Sequence, residues 1–103
     1  MSYRVLFAPD AREDYRSLKA RTRSEVRDAI ERHLMHQPTR VSRSRIKRLR
    51  GIRKPQYRLR VGNVRVFYDV AGSEVHLLAV VEKQRADTWL KNAGVYDEES
   101  STG

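Results

Sequence analysis

From Tyr57 to Val70 apolar and polar residues alternate. Tyr57, Leu59 and Val61 are apolar, and after Gly62-Asn63 so are Val64, Val66, Tyr68 and Val70. A period of two marks half-buried strands. Gly-Asn suits a two-residue type II′ turn, with Gly at the first central position. The pattern therefore predicts a hairpin in which Val61 faces Val64, Leu59 faces Val66 and Tyr57 faces Tyr68. The same register places Arg60 opposite Arg65 and Arg58 opposite Phe67 on the other face. Like charges directly opposed across a sheet destabilise it by about 0.2–1 kcal/mol, so this face calls for an explanation.

The flanking patterns complete an α+β plan. Tyr3 to Ala8 reads as a short strand, and Pro9-Asp10 ends it and opens a helix, because proline fits a first helical turn. Ala11, Tyr15 and Leu18 share one face of that helix. Thr22-Arg23-Ser24-Glu25 has the form of a capping box, followed by Val26, Ala29, Ile30, His33 and Leu34 at helical spacing. Gln37-Pro38 ends this second helix, and the short link between the two makes them an antiparallel pair. Ile46, Leu49 and Ile52 bracket Gly51 in a short strand or turn. After the hairpin, Val75 to Val81 is almost continuously apolar, as expected of a central strand covered on both faces. Arg85 to Ala93 is a short helix with Gly94 as its cap. The expected fold is β-α-α-β-β-β, with the helix pair on one face of a mostly antiparallel sheet and a C-terminal helix. Residues 1–94 are expected to form one domain, and the acidic segment 95–103 a frayed tail.

Charge sharpens the picture. The 103 residues carry 22 Lys and Arg against 13 Asp and Glu, a formal net charge of +9. No acidic residue occurs from Arg32 to Tyr68, and Arg40 to Arg65 holds half of the basic ones. A phosphate-rich partner is the first expectation, because cations that neutralise phosphates release counterions. No apolar run approaches the ~18 residues of a membrane span, and the charged N-terminal segment does not read as a signal peptide, so a cytoplasmic location without membrane attachment is expected. The chain has no cysteine, which excludes disulfides and thiolate metal sites. No metal or cofactor motif is present.

Packing the helices on the apolar face sends Arg58, Arg60 and Arg65 to the opposite one. There guanidinium groups can grip a phosphate through paired hydrogen bonds, and Phe67 can stack on a base; the alternative is a tolerated charge cost relieved by splayed side chains. If Val70 pairs with Val75, then Asp69 faces His76, Phe67 faces Leu78, Arg65 faces Val80, and Glu82 comes near Arg65, either as a salt-bridge partner or as a candidate general base. Lys83 and Arg85 follow, with Trp89 one turn later, either a plug between helix and sheet or a stacking platform. His33, His36 and His76 have no metal-ligand spacing. His76 opposite Asp69 is an acid–base pair by type, but lies at the far end of the strand from Arg60.

The order of elements, "KRLRG" before the hairpin, "YRLRVGNVRVFYDV" and "VHLLAVVEKQRADTW" resemble the RelE/ParE superfamily of bacterial toxins, over about Tyr3 to Leu90. The resemblance, nearer to the RelE branch, implies a toxin of a type II toxin–antitoxin system that cleaves mRNA on the ribosome without a cofactor, the ribose 2′-OH attacking the adjacent phosphate. Carried over by position, the catalytic basic residues are Arg58, Arg60, Arg65, Lys83 and Arg85. Lys47, Arg48 and Arg50 of "KRLRG", with Phe67 and Trp89, are the candidate RNA contacts. Many RelE-like toxins have a tyrosine where this chain has Trp89, and an indole cannot transfer a proton as a phenol does. The resemblance also implies a cognate antitoxin, held in a higher-order hetero-oligomer. Two alternatives stay open: a non-enzymatic DNA gyrase poison of the ParE type, and a non-toxic RNA-binding module.

Overall fold

The computed structural model describes residues 2–97. Strand β1 (Arg4–Phe7) leads into helix α1 (Pro9–Ser17) and helix α2 (Ala20–Ala29), which continues as a π-helical turn, Ile30–Leu34. Short strands β2 (Ile46–Arg48) and β3 (Ile52–Lys54) precede β4 (Tyr57–Val61), β5 (Val64–Ala71) and β6 (Glu74–Glu82). Helix α3 (Lys83–Ala93) and strand β7 (Val95–Tyr96) follow. The main sheet has the order β1-β6-β5-β4-β2, with β1 parallel to β6 and the other pairs antiparallel; β3 and β7 form a separate pair. This is the α+β fold expected from the patterning.

The hairpin holds the predicted register: Val61 opposite Val64, Arg60 opposite Arg65, Leu59 opposite Val66, Arg58 opposite Phe67 and Tyr57 opposite Tyr68. Gly62 takes φ +54 at the turn, a conformation that costs other residues steric strain. One apolar face packs against the helix pair. Leu59, Val61, Val64, Val66, Tyr68, Val75 and Leu77 join Ala11, Val26, Ala29, Ile30 and Leu34 in the main core. Tyr68 is wholly buried and donates its hydroxyl to the Pro38 carbonyl at 2.6 Å.

Four local expectations are corrected. First, β5 and β6 keep the expected pairing only from Val70–Val75 to Tyr68–Leu77; an irregularity at Leu78 then shifts the register, so that Phe67 faces Ala79, Arg65 faces Val81 and Val64 faces Glu82. The extra residue on β6 has the character of a β-bulge. It lies where β1 runs out: the Ala8 amide bonds the Leu77 carbonyl, whereas the Val80 amide is satisfied by the Asp14 carboxylate of α1 at 3.0 Å. Second, α2 begins at Ala20, not Thr22, and has no side-chain cap. Leu18 packs against the core at the turn, and Lys19 stands at the N-cap, three residues before Thr22. Third, Val95–Tyr96 pairs with β3 rather than fraying; residues 98–103 lie outside the described residues. Gly94 is needed here for space, not for a left-handed turn: its φ is −70, and an added Cβ would sit 2.6 Å from the Leu90 carbonyl oxygen and 2.7 Å from Ile52 Cδ1.

Fourth, the face opposite the helix pair is not left open. Helix α3 packs on it, forming a second small core of Phe67, Ala79 and Ala86, with Leu49, Val81, Trp89 and Leu90 against it. Among the described residues no helix is long and apolar enough to cross a membrane.

Candidate functional site

The site is the β4 side of the face that α3 shares. Two cross-strand rows build it: Lys47 on β2, Arg58 on β4 and Phe67 on β5 form one, and Arg60, Arg65 and Val81 on β4, β5 and β6 form the other. Alternation along β4 puts Arg58 and Arg60 on the face opposite Leu59 and Val61. Because α3 covers β5 and β6, the β4 and β2 cations form a shelf beside the helix.

The three arginines differ in environment. Arg60 is exposed and Arg58 is half-buried, whereas Arg65 is only 6% exposed. The Arg65 guanidinium donates through Nη1 to the Gly62 carbonyl at 2.9 Å and the Val64 carbonyl at 3.1 Å, clamping the turn. Burial, and then the charges of Arg58 and Arg60, depress the pKa of Arg65. It still stays cationic at neutral pH, since a guanidinium titrates far above it. Among the described residues no carboxylate lies within ion-pair distance of Lys47, Arg58, Arg60, Arg65, Lys83 or Arg85. The Arg58 Nε is buried without a hydrogen-bond partner. Cations clustered without a paired carboxylate among the described residues attract anions.

Helix α3 brings the next cations to the hairpin end. The Lys83 amide donates to the Asn63 carbonyl at 2.8 Å, so Lys83 and Arg85 leave the sheet beside the turn that Arg65 clamps; both are exposed. Ala86 and Trp89 face the sheet. The Trp89 ring stacks on Phe67 with centroids 4.9 Å apart and planes 14° from parallel. Phe67 is thus wholly buried, and the base-stacking role expected of it is closed off by an aromatic partner within the chain. Trp89 is half-buried and is the plug between helix and sheet.

Other expected site residues are dispersed. Glu82 does not approach Arg65: the shifted register places it opposite Val64, and it lines a cavity with Leu18, Lys19 and Thr22 on the helix-pair side. Arg48 lies on that side too, its guanidinium 5.1 Å from the Tyr57 ring centre and bonded to the Gln56 carbonyl at 3.0 Å. Lys47 and Arg50 line a cleft with Leu49, Ile52, Leu90 and Tyr96, next to the end of α3. His76 pairs with Glu74 at 3.0 Å, not with Asp69, which instead accepts the Gln56 amide at 2.7 Å. Among the described residues no cluster of His, Asp or Glu could hold a metal ion.

Residues 5–87 match the family model of the ParE toxin of the type II toxin–antitoxin system parDE. The chain belongs to this toxin family. No curated protein sequence matches it. Among solved structures the toxin chain is similar to the RelBE2 toxin–antitoxin complex of Mycobacterium tuberculosis, at 28% identity and a TM-score of 0.67, over 80% of this chain and 99% of that one. It is also similar to the RelE–RelB complex of Pyrococcus horikoshii, at 26% identity and a TM-score of 0.59, over 82% and 99%. A free Escherichia coli RelE mutant shares the fold, at 20% identity and a TM-score of 0.66, over 90% and 99%. Family model and neighbours together place this toxin in the RelE/ParE superfamily.

One group of toxin residues was not singled out from the sequence. Arg32, His33, Gln37, Arg40, Ser42 and Arg45 line a cavity together with Ile46. The acid-free stretch from Arg32 and the basic run from Arg40 are visible in the sequence; bringing a helix end and a loop together is a tertiary event.

Proposed function

We propose that this toxin inhibits translation by cleaving mRNA on the ribosome. The observation that carries the reading is the shelf of Lys47, Arg58, Arg60 and Arg65, held on the sheet and, among the described residues, unpaired with any carboxylate. In the reaction a ribose 2′-OH loses its proton and attacks the adjacent phosphorus; the bond to the 5′ oxygen breaks, and that oxygen takes up a proton. The products are a 2′,3′-cyclic phosphate and a 5′-hydroxyl. Charge builds on the phosphoryl oxygens, and preorganised cations stabilise it. Arg60 and Arg58 contact the phosphate, with Lys83 and Arg85 closing from the helix side. Arg65, being buried, holds the turn and adds positive potential from beneath. Among the described residues no histidine or carboxylate pairs with the shelf, so proton transfer falls to the ribosomal setting and free mRNA is expected to be cut poorly.

The solved relatives include RelE toxins complexed with RelB antitoxins, which supports a cognate antitoxin here. An acidic, disordered segment that folds on binding suits a net charge of +9, and the resulting complex is expected to be a higher-order hetero-oligomer. The second reading, a non-enzymatic gyrase poison, is favoured by the ParE family model and by Trp89 standing where many RelE-like toxins have a tyrosine, since an indole does not transfer a proton as a phenol does.

Controlled expression with mapping of mRNA 5′ ends decides between them. Wild type is expected to arrest growth and give cuts within translated codons, and Arg58→Ala/Arg60→Ala to do neither while remaining folded. Unchanged toxicity in the double variant removes the nuclease reading. Accumulated cleaved DNA without mRNA cuts selects the gyrase reading.

A further inference from the structure

The basic cavity on the helix side of the sheet is separate from the shelf. It measures about 290 Å³ and is lined by Arg32, His33, Gln37, Arg40, Ser42, Arg45 and Ile46. Six of the seven lining residues carry a polar side chain: three guanidinium groups, an imidazole, an amide and a hydroxyl. Among the described residues Arg32, Arg40 and Arg45 have no carboxylate within ion-pair distance. Only Arg40 has a side-chain partner, the Gln37 amide oxygen at 3.0 Å.

The wall is held in place by backbone structure. Arg32 and His33 belong to the π-helical turn closed by the Met35 amide on the Ile30 carbonyl at 3.1 Å. Such turns interrupt the regular helical phase and often mark functional positions. Across the cavity, Ser42 Oγ accepts the amides of Arg45 at 3.1 Å and Ile46 at 3.3 Å, and the Ser42 amide bonds the Ile46 carbonyl at 2.9 Å. Arg40 and Arg45 are thus presented by a closed turn. Burial, then Arg45 and Arg32, lower the pKa of His33, as expected of positive charge around the cavity.

Arg45 also joins this cavity to the shelf: its carbonyl accepts the Arg60 amide at 2.9 Å, extending the β2–β4 ladder to the hairpin end. We propose that the cavity is a second phosphate-binding subsite, which takes a backbone phosphate of the same RNA strand that the Arg58–Arg60 shelf binds, the strand passing round the β2 edge of the sheet. Planar guanidinium forks match phosphate oxygens. RNA is favoured over a carboxylate-bearing peptide because the Arg45 carbonyl, bonded to the Arg60 amide, ties the cavity to the shelf. The inference rests on RNA being the target, but not on the RNA being cut.

The test uses the purified toxin and a single-stranded RNA oligonucleotide with 2′-O-methyl riboses, which cannot be cleaved by 2′-OH attack. The His33 ring resonances are followed by NMR, with inorganic phosphate and polyglutamate in parallel. RNA is expected to shift them and to raise the His33 pKa, through anionic charge placed among Arg32, Arg40 and Arg45; phosphate shifts them in the same direction at far higher concentration. Arg40→Gln/Arg45→Gln, both exposed positions, is expected to weaken RNA binding about tenfold at 0.1 M salt. The slope of log affinity against log salt should fall by about 1.4, which is ~0.7 per lost single-strand contact. His33 resonances unmoved by saturating RNA, an unchanged salt slope, or a response to phosphate or polyglutamate but not to RNA would each overturn the subsite. Because no cleavage is read, failure of the nuclease proposal leaves this result standing, and the reverse also holds.

Discussion

The stack of Trp89 on Phe67 is the contact on which the placement of α3, and with it Lys83 and Arg85, depends. The rings lie 4.9 Å apart at 14°, an offset-parallel geometry worth about 0.5–1.5 kcal/mol beyond the area it buries. Replacing Phe67 by alanine would remove too much: a buried Phe→Ala change costs about 3–5 kcal/mol, a large part of the ~5–15 kcal/mol that a domain has in total. Leucine keeps an apolar side chain and removes only the ring contact. The experiment is a double-mutant cycle of Phe67→Leu, Trp89→Leu and the pair, unfolded in urea and followed by far-ultraviolet circular dichroism. Fluorescence is the second readout, because Trp89 is the only tryptophan in the chain; its emission in Phe67→Leu should move to the red as the ring gains solvent. The expected coupling energy is about 0.5–1.5 kcal/mol. A coupling below ~0.3 kcal/mol, the range of independent sites, together with unchanged emission, refutes the stack as the anchor of α3.

Further outcomes follow from single positions. Gly94→Ala should destabilise by about 1–3 kcal/mol through overpacking, since the new Cβ meets the Leu90 carbonyl and the Ile52 side chain; an unchanged urea midpoint would show that β7 yields freely. Tyr68→Phe leaves the buried Pro38 carbonyl without its 2.6 Å donor and should cost about 1–3 kcal/mol, read by thermal and urea melts. The pKa of His33 is lower in the folded protein than the ordinary imidazole value of about 6.5, so the unfolded chain binds the proton more readily. Its contribution is then fully present above pH ~6.5 and lost as pH falls from there through the lower folded value. Wild type should therefore lose more stability than His33→Gln between pH 7.5 and 5.5, and parallel losses would remove the effect.

The division between chain and fold can be traced residue by residue. Alternation and Gly62-Asn63 determined the hairpin and its register, because a period-two pattern with one buried face leaves a strand a single choice of side. They therefore determined that Arg58, Arg60 and Arg65 share a face, and the "KRLRG" and hairpin motifs carried the superfamily. Tertiary structure decided what local pattern could not express. The irregularity at Leu78 answers to where β1 ends and Asp14 takes over the Val80 amide, a contact between residues far apart in the chain; it turned Glu82 away from the arginines. The covering of Phe67 by Trp89 arose because α3 has an apolar side to bury and the sheet an uncovered one. Leu18 packs against the core at the turn between the helices, and α2 starts from Lys19 without using the capping sequence. The chain by itself determined which faces carry charge; only packing decided which of those charges lie buried, which stand free on the shelf beside α3, and which meet across the second basic cavity, because those outcomes depend on contacts that no window of sequence contains.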